Sequence, residues 1–310
     1  MRVCQVLLLV SLLWAFAKTC QGQAVSTAEF DAWAARNSYQ LGRDWRSYLL
    51  IAPGNMGPNA LPVSRSNFGY VDSVSSLGAS AAVHFNRQDP TQDVALHGVY
   101  RLGKRASLQV HYLLREWYDT SPELATARNS LQRPARGSID GDVQVNVLLD
   151  VLGRRADQLN AVVAVRVKTA SGSGLEALRF TDSPGYQFDA SLGKSYRLDA
   201  KTRLRPYGSG GFFVWQRFGA GSPQNDAYTY SAGLRFERPR LQCAVELAGY
   251  SGWTEQQDRP VQLRSVISFQ QPGARFWGQL HLTHGLRDYG YTSLRTSLIY
   301  SFLAQRRTSG

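Results

Sequence analysis

The sequence predicts an all-β fold: a transmembrane antiparallel up-and-down β-barrel of about 12 strands with an N-terminal lead-in. Three observations predict it. Apolar and polar residues alternate from residue 76 to residue 302, the connections between alternating segments are short and long in turn, and aromatic residues gather at the segment ends. Amphipathic strands joined by short turns on one side and longer loops on the other are typical of outer-membrane barrels.

Strict alternation defines the predicted strands. Within residues 142–151, Val143 and Val145 share one face, whereas Gln144 and Asn146 share the other. A period of two is the pattern of a strand with two different faces. The predicted strands are 76–86, 93–102, 106–118, 140–152, 158–169, 185–197, 203–217, 227–237, 240–252, 260–270, 274–285 and 290–302.

The predicted strand 203–217 is the least regular of these. Pro206 lacks the N–H group that a strand ladder requires, and the glycine-rich run 208–211 weakens the alternation. We therefore predict a bulge or a bend within this strand, because bulges shift the phase of the side chains.

The connections between the predicted strands alternate in length. Tight turns occupy 102–104, 153–157, 198–202, 238–239 and 271–273, whereas longer loops occupy 119–139, 170–184, 218–226 and 253–259. An even strand count places both ends of the barrel on one side, which we expect to hold the chain start and the short turns. On this basis residues 25–75 form the lead-in, residues 76–302 the barrel and residues 303–310 a C-terminal tail.

Residues 1–24 have the tripartite pattern of a secretory signal peptide. Arg2 gives the positive start, residues 6–17 are apolar, and small residues follow, so we expect cleavage after Gly22 or Ala24. A lipoprotein signal with Cys20 as the lipidated residue is the alternative. After cleavage Cys243 is the one cysteine that remains, which excludes a disulfide within one chain.

The lead-in at 25–75 lacks the alternation of the later segments. Phe30 and Trp33 have the spacing of a short helix, and residues 49–63 read LLIAPGNMGPNALPV. The prolines and glycines of that stretch exclude a regular helix or a central strand. Its apolar and glycine content suits packing inside a barrel, so we hypothesise that it enters the lumen and occludes it.

Aromatic residues lie near both ends of the predicted strands. Amphipathic rings settle at the boundary between lipid and water, so the positions predict two aromatic girdles. The alternative is the ordinary abundance of aromatic residues in strands. The girdle candidates are Trp117, Tyr186, Trp215, Tyr228, Trp253, Tyr300 and Phe302.

A soluble β-sandwich is the main structural alternative, because it also alternates and is easily exported. The strand length, the asymmetry of the connections and the last strand favour the barrel. Residues 294–302, LRTSLIYSF, form an amphipathic strand with a final aromatic residue, which resembles the signal read by the barrel-assembly machinery. The tail at 303–310 departs from that signal, because it separates Phe302 from the chain end.

Several segments together resemble a family of uncharacterised outer-membrane β-barrel proteins from Bacteroidota. They are LLIAPGNMGPNALPV at 49–63, VKTASG at 167–172, DSPGYQFDASLGKS at 182–195, QNDAYTYSAGL at 224–234, YSGW at 250–253, DRP at 258–260 and GLRDYGYTSLRTSLIYSF at 285–302. The resemblance implies a barrel with an N-terminal lead-in. It implies no activity, and therefore no catalytic residue.

The polar face of the strands is predicted to line the lumen. The lining candidates are Arg115, Arg166, Lys168, Arg235, Arg264, Arg295, Asp150 and Glu246. Cationic side chains around an open pore favour the passage of anions. The sequence therefore predicts a porin-like channel for small polar or anionic solutes. Two alternatives stay open: a closed barrel whose loops at 119–139 and 170–184 bind a surface partner, and an outer-membrane lipid hydrolase.

The histidines give little support to catalysis or to metal binding. His281 and Thr283 would share a lumenal face, but no histidine and serine have the spacing of the barrel phospholipases, so no catalytic residue is assigned. His281 and His284 would lie on opposite faces of a strand, so neither a metal site nor a cofactor is expected.

The formal net charge is +12, which suits anionic lipids or anionic solutes, or simply basic turns and a basic lining. The expected location is the outer membrane of a Gram-negative bacterium. The expected partners are outer-membrane lipids, the barrel-assembly machinery and small anionic solutes. Nucleic acid is not an expected partner, because the chain is exported and its basic residues are scattered. The oligomeric state stays open.

Overall fold

In the computed structural model the chain forms a closed antiparallel β-barrel, which confirms the predicted fold. The structure describes residues 25–132, 135–153, 158–216, 224–252, 258–271 and 273–302, so the predicted signal peptide and C-terminal tail lie outside it. The strands are β1 (Ser76–Phe85), β2 (Thr91–Arg101), β3 (Ala106–Thr120), β4 (Ala135–Ile139), β5 (Val143–Asp150), β6 (Leu159–Lys168), β7 (Gly185–Lys194), β8 (Tyr196–Arg197), β9 (Arg203–Gln216), β10 (Gln224–Glu237), β11 (Leu241–Ser251), β12 (Val261–Phe269), β13 (Phe276–Arg287) and β14 (Thr292–Ser301).

Of these fourteen strands, β4 and β8 lie outside the ring, and the remaining twelve form the barrel wall. β1 pairs with β14, and β9 pairs with β10, so the sheet closes on itself. The short β4 pairs with β3 beyond the end of β5, and β8 pairs with β9 beyond the end of β7. Closure leaves none of the described wall strands with a free edge, which removes the usual route to edge-to-edge aggregation.

The two faces of the wall are the reverse of those in a soluble protein. In β1, Ser76 and Ser80 are buried on the inner face, whereas Leu77, Val83 and Phe85 are exposed on the outer face. The same alternation runs through all of β7. An apolar exterior around a polar interior is the pattern of a barrel surrounded by hydrocarbon. This pattern excludes the soluble β-sandwich, whose sheets bury their apolar faces against each other.

The wall has a short-turn end and a long-loop end. Residues 102–105, 151–158, 195–202, 238–240 and 270–275 connect strands at the short-turn end. Residues 86–90, 121–142, 169–184, 217–223, 252–260 and 288–291 connect strands at the long-loop end. The loop 121–142 also contains a short helix, Pro122–Ala127, in addition to β4. The asymmetry agrees with the connection lengths read from the sequence.

The lead-in begins with the helix α1, Thr27–Arg36. Ser26 caps α1 in a reciprocal capping box with Glu29, which satisfies two N–H groups at the helix start. A short 3-10 helix, Trp45–Tyr48, follows. No helix in the described ranges is long and apolar enough to span a membrane.

The lead-in enters the barrel at the long-loop end and leaves it at the short-turn end. At the long-loop end Trp33 Nε1 donates to the carbonyl oxygen of Asn129 over 2.9 Å. At the short-turn end Arg101 Nη1 donates to the carbonyl oxygen of Ser73 over 3.0 Å, just before β1 begins. We expected the chain start to lie with the short turns, but residues 26–50 lie with the long loops. The reason is that Trp33 becomes buried there.

The bulge predicted in β9 is absent. Arg203–Gln216 pairs with β10 over its full 14 residues without a register shift. Pro206 is tolerated because pairing with β7 ends at Tyr207, whereas β8 pairs only with Leu204 and Arg203. On the side away from β10, Pro206 therefore lies between the ends of two partner strands, which suits a residue without an N–H group.

Candidate functional site

A segment of the lead-in, residues 49–72, fills part of the lumen, and we call it the plug. Arg264 on β12 holds the backbone of the plug. Its Nη2 donates to the carbonyl oxygen of Val63 over 2.6 Å, and its Nη1 donates to that of Ser64 over 2.7 Å. Glu246 on β11 lies 3.4 Å from Arg264 and balances its charge. Charge-assisted hydrogen bonds are stronger than neutral ones, so Arg264 acts as a clamp.

Two more wall arginines hold the plug. Arg166 on β6 donates from Nη2 to the carbonyl oxygen of Arg65 over 3.0 Å, and from Nε to Asp189 over 2.7 Å. Arg205 on β9 donates from Nε to the carbonyl oxygen of Phe68 over 2.7 Å. The plug backbone is therefore bonded to the wall by three cationic side chains from three different strands.

Apolar side chains fill the lumen at the long-loop end. Met56 and Leu61 of the plug form one buried cluster with Leu175 and Leu178 of a long loop and with Trp215 of β9. Burying a side chain of this kind contributes about 1.5–3 kcal/mol, so the cluster holds both the plug and the loop in place. The cluster therefore fills lumenal space at the long-loop end.

Arg179 anchors the same long loop inside the barrel. Its side chain is 0% exposed and pairs with Asp89 over 2.8 Å and with Glu116 over 2.7 Å. Arg128 also pairs with Asp89 over 2.8 Å. We call Arg179, Arg128, Asp89 and Glu116 the arginine network. Gly57 of the plug packs against it, because a Cβ at Gly57 would lie 2.7 Å from Arg179 Cζ.

Two members of the arginine network, Asp89 and Arg179, have shifted pKa values. Burial would raise the pKa of Asp89, but Arg179 and Arg128 outweigh that effect and hold the pKa below its usual value. The Tyr291 hydroxyl also donates to Asp89 and acts in the same direction. Burial would lower the pKa of Arg179, but Glu116 and Asp89 outweigh it and raise that pKa. Asp89 and Arg179 therefore stabilise each other's charged form.

Most of the predicted lining residues lie on the lumenal face. Each of these cations has an acidic partner, the distances running from 2.6 to 3.4 Å: Arg166 with Asp189, Lys168 with Asp142, Arg235 with Glu237, Arg264 with Glu246, and Arg295 with Asp93. Asp150 accepts a hydrogen bond from the N–H of Gly153 in a short turn. The wall therefore presents paired charges and plug clamps, and Glu246, one of the two predicted acidic lining residues, is the partner of Arg264.

Arg115 is a correction, because it lies on the outer face of β3. A register shift between β2 and β3 leaves Leu114 without a partner, so Val94 pairs with Arg115 and Ala95 with Leu113. One extra residue reverses the alternation, which turns Glu116 inward and Arg115 outward. The Arg115 side chain is 42% exposed and pairs with Asp140 over 2.9 Å. The sequence of β3 alone could not show the shift, because it depends on the partner strand.

Some of the girdle candidates lie on the outer face of the barrel, and one of them lies inside it. Trp117, Tyr186, Tyr228 and Phe302 are exposed on the outer face, and Tyr300 packs edge to face on Phe302. Trp215 is a correction, because it is 3% exposed and lies inside the barrel against the plug. The alternation of β9 places Trp215 on the same inner face as Phe213 and Tyr207. Trp253 lies outside the described residues.

A cavity of about 620 Å³ lies between the plug and the wall. It reaches the short-turn end, where Arg240 and Gln270 border it. Arg65 of the plug is exposed to this cavity. Within the described part of the chain its guanidinium group has no hydrogen bond and no ion pair. No sequence pattern indicated Arg65, because a residue in an irregular segment has no periodicity that shows where its side chain points.

One lumenal histidine, the buried His84, lies between a serine and an aspartate. Its Nδ1 is hydrogen-bonded to the Ser293 hydroxyl over 2.7 Å and its Nε2 to Asp93 over 2.7 Å. His281 Nε2 bonds to Gln279 over 3.1 Å, and the cavity wall includes His97 and His111 as well. Among the described residues no group of three histidine, cysteine, aspartate or glutamate side chains is placed to hold a metal ion. The arrangement offers hydrogen-bonding groups and positive charge, which suit ligand binding.

No protein-family model and no curated protein matches the chain. Among solved structures, the chain is similar to an outer-membrane channel from Pseudomonas putida F1, with a TM-score of 0.54 and 15% identity over 78% of this chain and 100% of that one. It is also similar to the KdgM porin, with a TM-score of 0.45 and 10% identity over 74% of this chain and 99% of that one. A third similar structure is the NanC porin, with a TM-score of 0.48 and 9% identity over 73% of this chain and 100% of that one. At these identities the likeness concerns the β-barrel fold alone.

Proposed function

We propose that the protein is an outer-membrane channel for small polar and anionic solutes, with the plug as its gate. The observation that carries the proposal is the clamp: Arg166, Arg205 and Arg264 bond the plug backbone inside the lumen. If the plug leaves, these guanidinium groups face water in the lumen. Cationic groups in a pore favour anions, so opening the gate would also expose the selectivity-determining side chains.

Two further observations support the location. The outer face of the wall is apolar, as a barrel in a bilayer requires, and the fold is similar to that of an outer-membrane channel. We place the long loops outside the cell and the short turns in the periplasm, following the usual build of such barrels. The resemblance of the loop and lead-in segments to Bacteroidota proteins favours a source in that phylum.

The proposal predicts a large change in conductance when the plug is removed. In a planar bilayer, the chain without its signal peptide is expected to be silent for most of the record. The same chain without residues 25–72, which include the whole plug, is expected to conduct steadily and to prefer anions over cations. Both proteins must first show the heat-dependent gel mobility of a folded barrel.

Point variants separate the clamp from simple loss of charge. We expect Arg166→Gln combined with Arg264→Gln to increase the open fraction, because both side chains bond the plug backbone. Lys168→Gln is the matched control, since Lys168 pairs with Asp142 but does not contact the plug. Silence from the deletion and from the double variant, in folded protein, would contradict the channel. That outcome would favour the closed barrel whose long loops bind a surface partner.

A further inference from the structure

The side chain of Arg65 has no role in holding the plug, although its charge lies inside the lumen. Arg264 and Arg295 lie within electrostatic range of Arg65, but each of them already pairs with its own carboxylate, Glu246 and Asp93. Arg65 therefore adds one uncompensated positive charge to the cavity. The interaction of an ion with a matching charge strengthens when the pair is shielded from bulk water.

The wall that shares the cavity with Arg65 carries three imidazole rings. His97 on β2 and His111 on β3 are cross-strand partners, and His281 on β13 is the cross-strand partner of Arg295. The ring of His97 lies over Gly78, where a Cβ would approach Nε2 to 2.1 Å, so glycine leaves room for the ring. These strands are neighbours in the sheet, with β14 and β1 between them, so the rings form a belt along one side of the lumen.

One atom of this belt is unsatisfied. His111 Nδ1 is buried and has no hydrogen-bond partner among the described residues. Leaving a buried polar atom unpaired costs about 1–3 kcal/mol. Hydroxyl and amide groups of Ser80, Ser297, Gln109 and Gln279 also border the cavity. The belt therefore adds hydrogen-bonding groups to the cavity that Arg65 also borders.

The volume of the cavity limits the size of a ligand. Its 620 Å³ lies within the roughly 300–1,000 Å³ of typical small-molecule sites. A ligand with one anionic group would pair with Arg65 in the fork geometry of a guanidinium group. Hydroxyl groups on the rest of the ligand would bond the histidine belt. The opening at the short-turn end gives such a ligand a route into the cavity while the plug is still in place.

We infer that the closed lumen contains a binding site for a small hydroxylated organic anion, with Arg65 as its anion-binding residue and His97, His111 and His281 as its hydroxyl-binding wall. The inference deepens the proposed function, because it names the class of solute. It is tested by equilibrium binding to the closed protein, so its failure is distinct from a failure to conduct.

The experiment is isothermal titration of the folded chain, without its signal peptide, with four probes. We expect glucuronate or glucose 6-phosphate to bind. Glucose lacks the anionic group and acetate lacks the hydroxyl groups, so both should bind at least about tenfold more weakly. The two anions distinguish a carboxylate from a phosphate ligand. Glucose binding as tightly as both anions, or no binding by either anion, would overturn the inference.

Variants of Arg65 make the test specific. Arg65→Gln is expected to weaken binding of the anion about tenfold or more, the loss of one charge-assisted pair, and Arg65→Lys is expected to recover part of it. The side chain of Arg65 makes no described hydrogen bond or ion pair, so its replacement breaks none of those that hold the described fold together. Arg197→Gln is the control, because Arg197 is exposed on β8 outside the cavity. Equal binding by wild type and Arg65→Gln would overturn the assignment.

Discussion

Arg179→Met is expected to destabilise the folded barrel by about 3–5 kcal/mol, the usual cost of removing one partner from a buried ion pair. The side chain of Arg179 is fully buried between Asp89 and Glu116, so the variant leaves carboxylates in the barrel with fewer cations. Methionine keeps most of the volume, which separates the loss of charge from the creation of a cavity. The measurement is urea unfolding of the barrel in lipid vesicles.

The matched control for this variant is Arg136→Met. Arg136 also pairs with an aspartate, Asp119, but its side chain is 71% exposed. Exposed ion pairs contribute little because water screens them, so unfolding should change little. Equal effects of the two variants would contradict the importance that we give to the arginine network.

The same network predicts a dependence of stability on pH. The pKa of Asp89 is lower in the folded barrel than in the unfolded chain, so its contribution is fully present above the unfolded pKa of about 4. The contribution is lost as the pH falls through the lowered pKa of the folded state. Asp89→Asn should therefore reduce the fall in unfolding free energy between about pH 5 and pH 2. An unchanged acid profile in this variant would argue against the charged state of Asp89.

The second large effect concerns the location of the chain start. An epitope tag inserted between Val25 and Ser26 is expected to bind antibody on intact cells. The reason is that α1 lies at the long-loop end, where Trp33 bonds Asn129. A tag inserted after Gly103, in an exposed short turn, is the control and should bind only after the outer membrane is permeabilised. Labelling of the first tag only in permeabilised cells would contradict the path of the lead-in.

The sequence predicted the wall well because the wall is a local pattern. Each strand shows its two faces in its own alternation, and Val143 with Gln144 is enough to orient β5. The closed lumen was only hypothesised, from the prolines, glycines and apolar residues of 49–63. The direction in which the lead-in threads the barrel depends on packing of Trp33 and Met56 against distant loops, which no local pattern reports.

The errors in the site have the same cause. The outward turn of Arg115 follows from a register shift against β2, and the inward turn of Trp215 follows from the regular pairing of β9. The strand β4 is five residues long and polar, so it has no usable alternation. Arg65 lies in an irregular segment. Its place in the lumen depends on the hydrogen bond from Arg166 to its own carbonyl oxygen, which no sequence pattern predicts.

The most direct test of the central claim is a disulfide between the plug and the wall. The Ser64 hydroxyl is hydrogen-bonded to Gln187 on β7. In a Cys243→Ser background, Ser64→Cys with Gln187→Cys is expected to form an intramolecular disulfide, which protects both thiols from alkylation and is measured by mass spectrometry. Ser64→Cys with Gln92→Cys is the control, because Gln92 is exposed on the outer face of β2. Protection in the first pair alone is the predicted result, and free thiols in both pairs would contradict a plug inside the lumen.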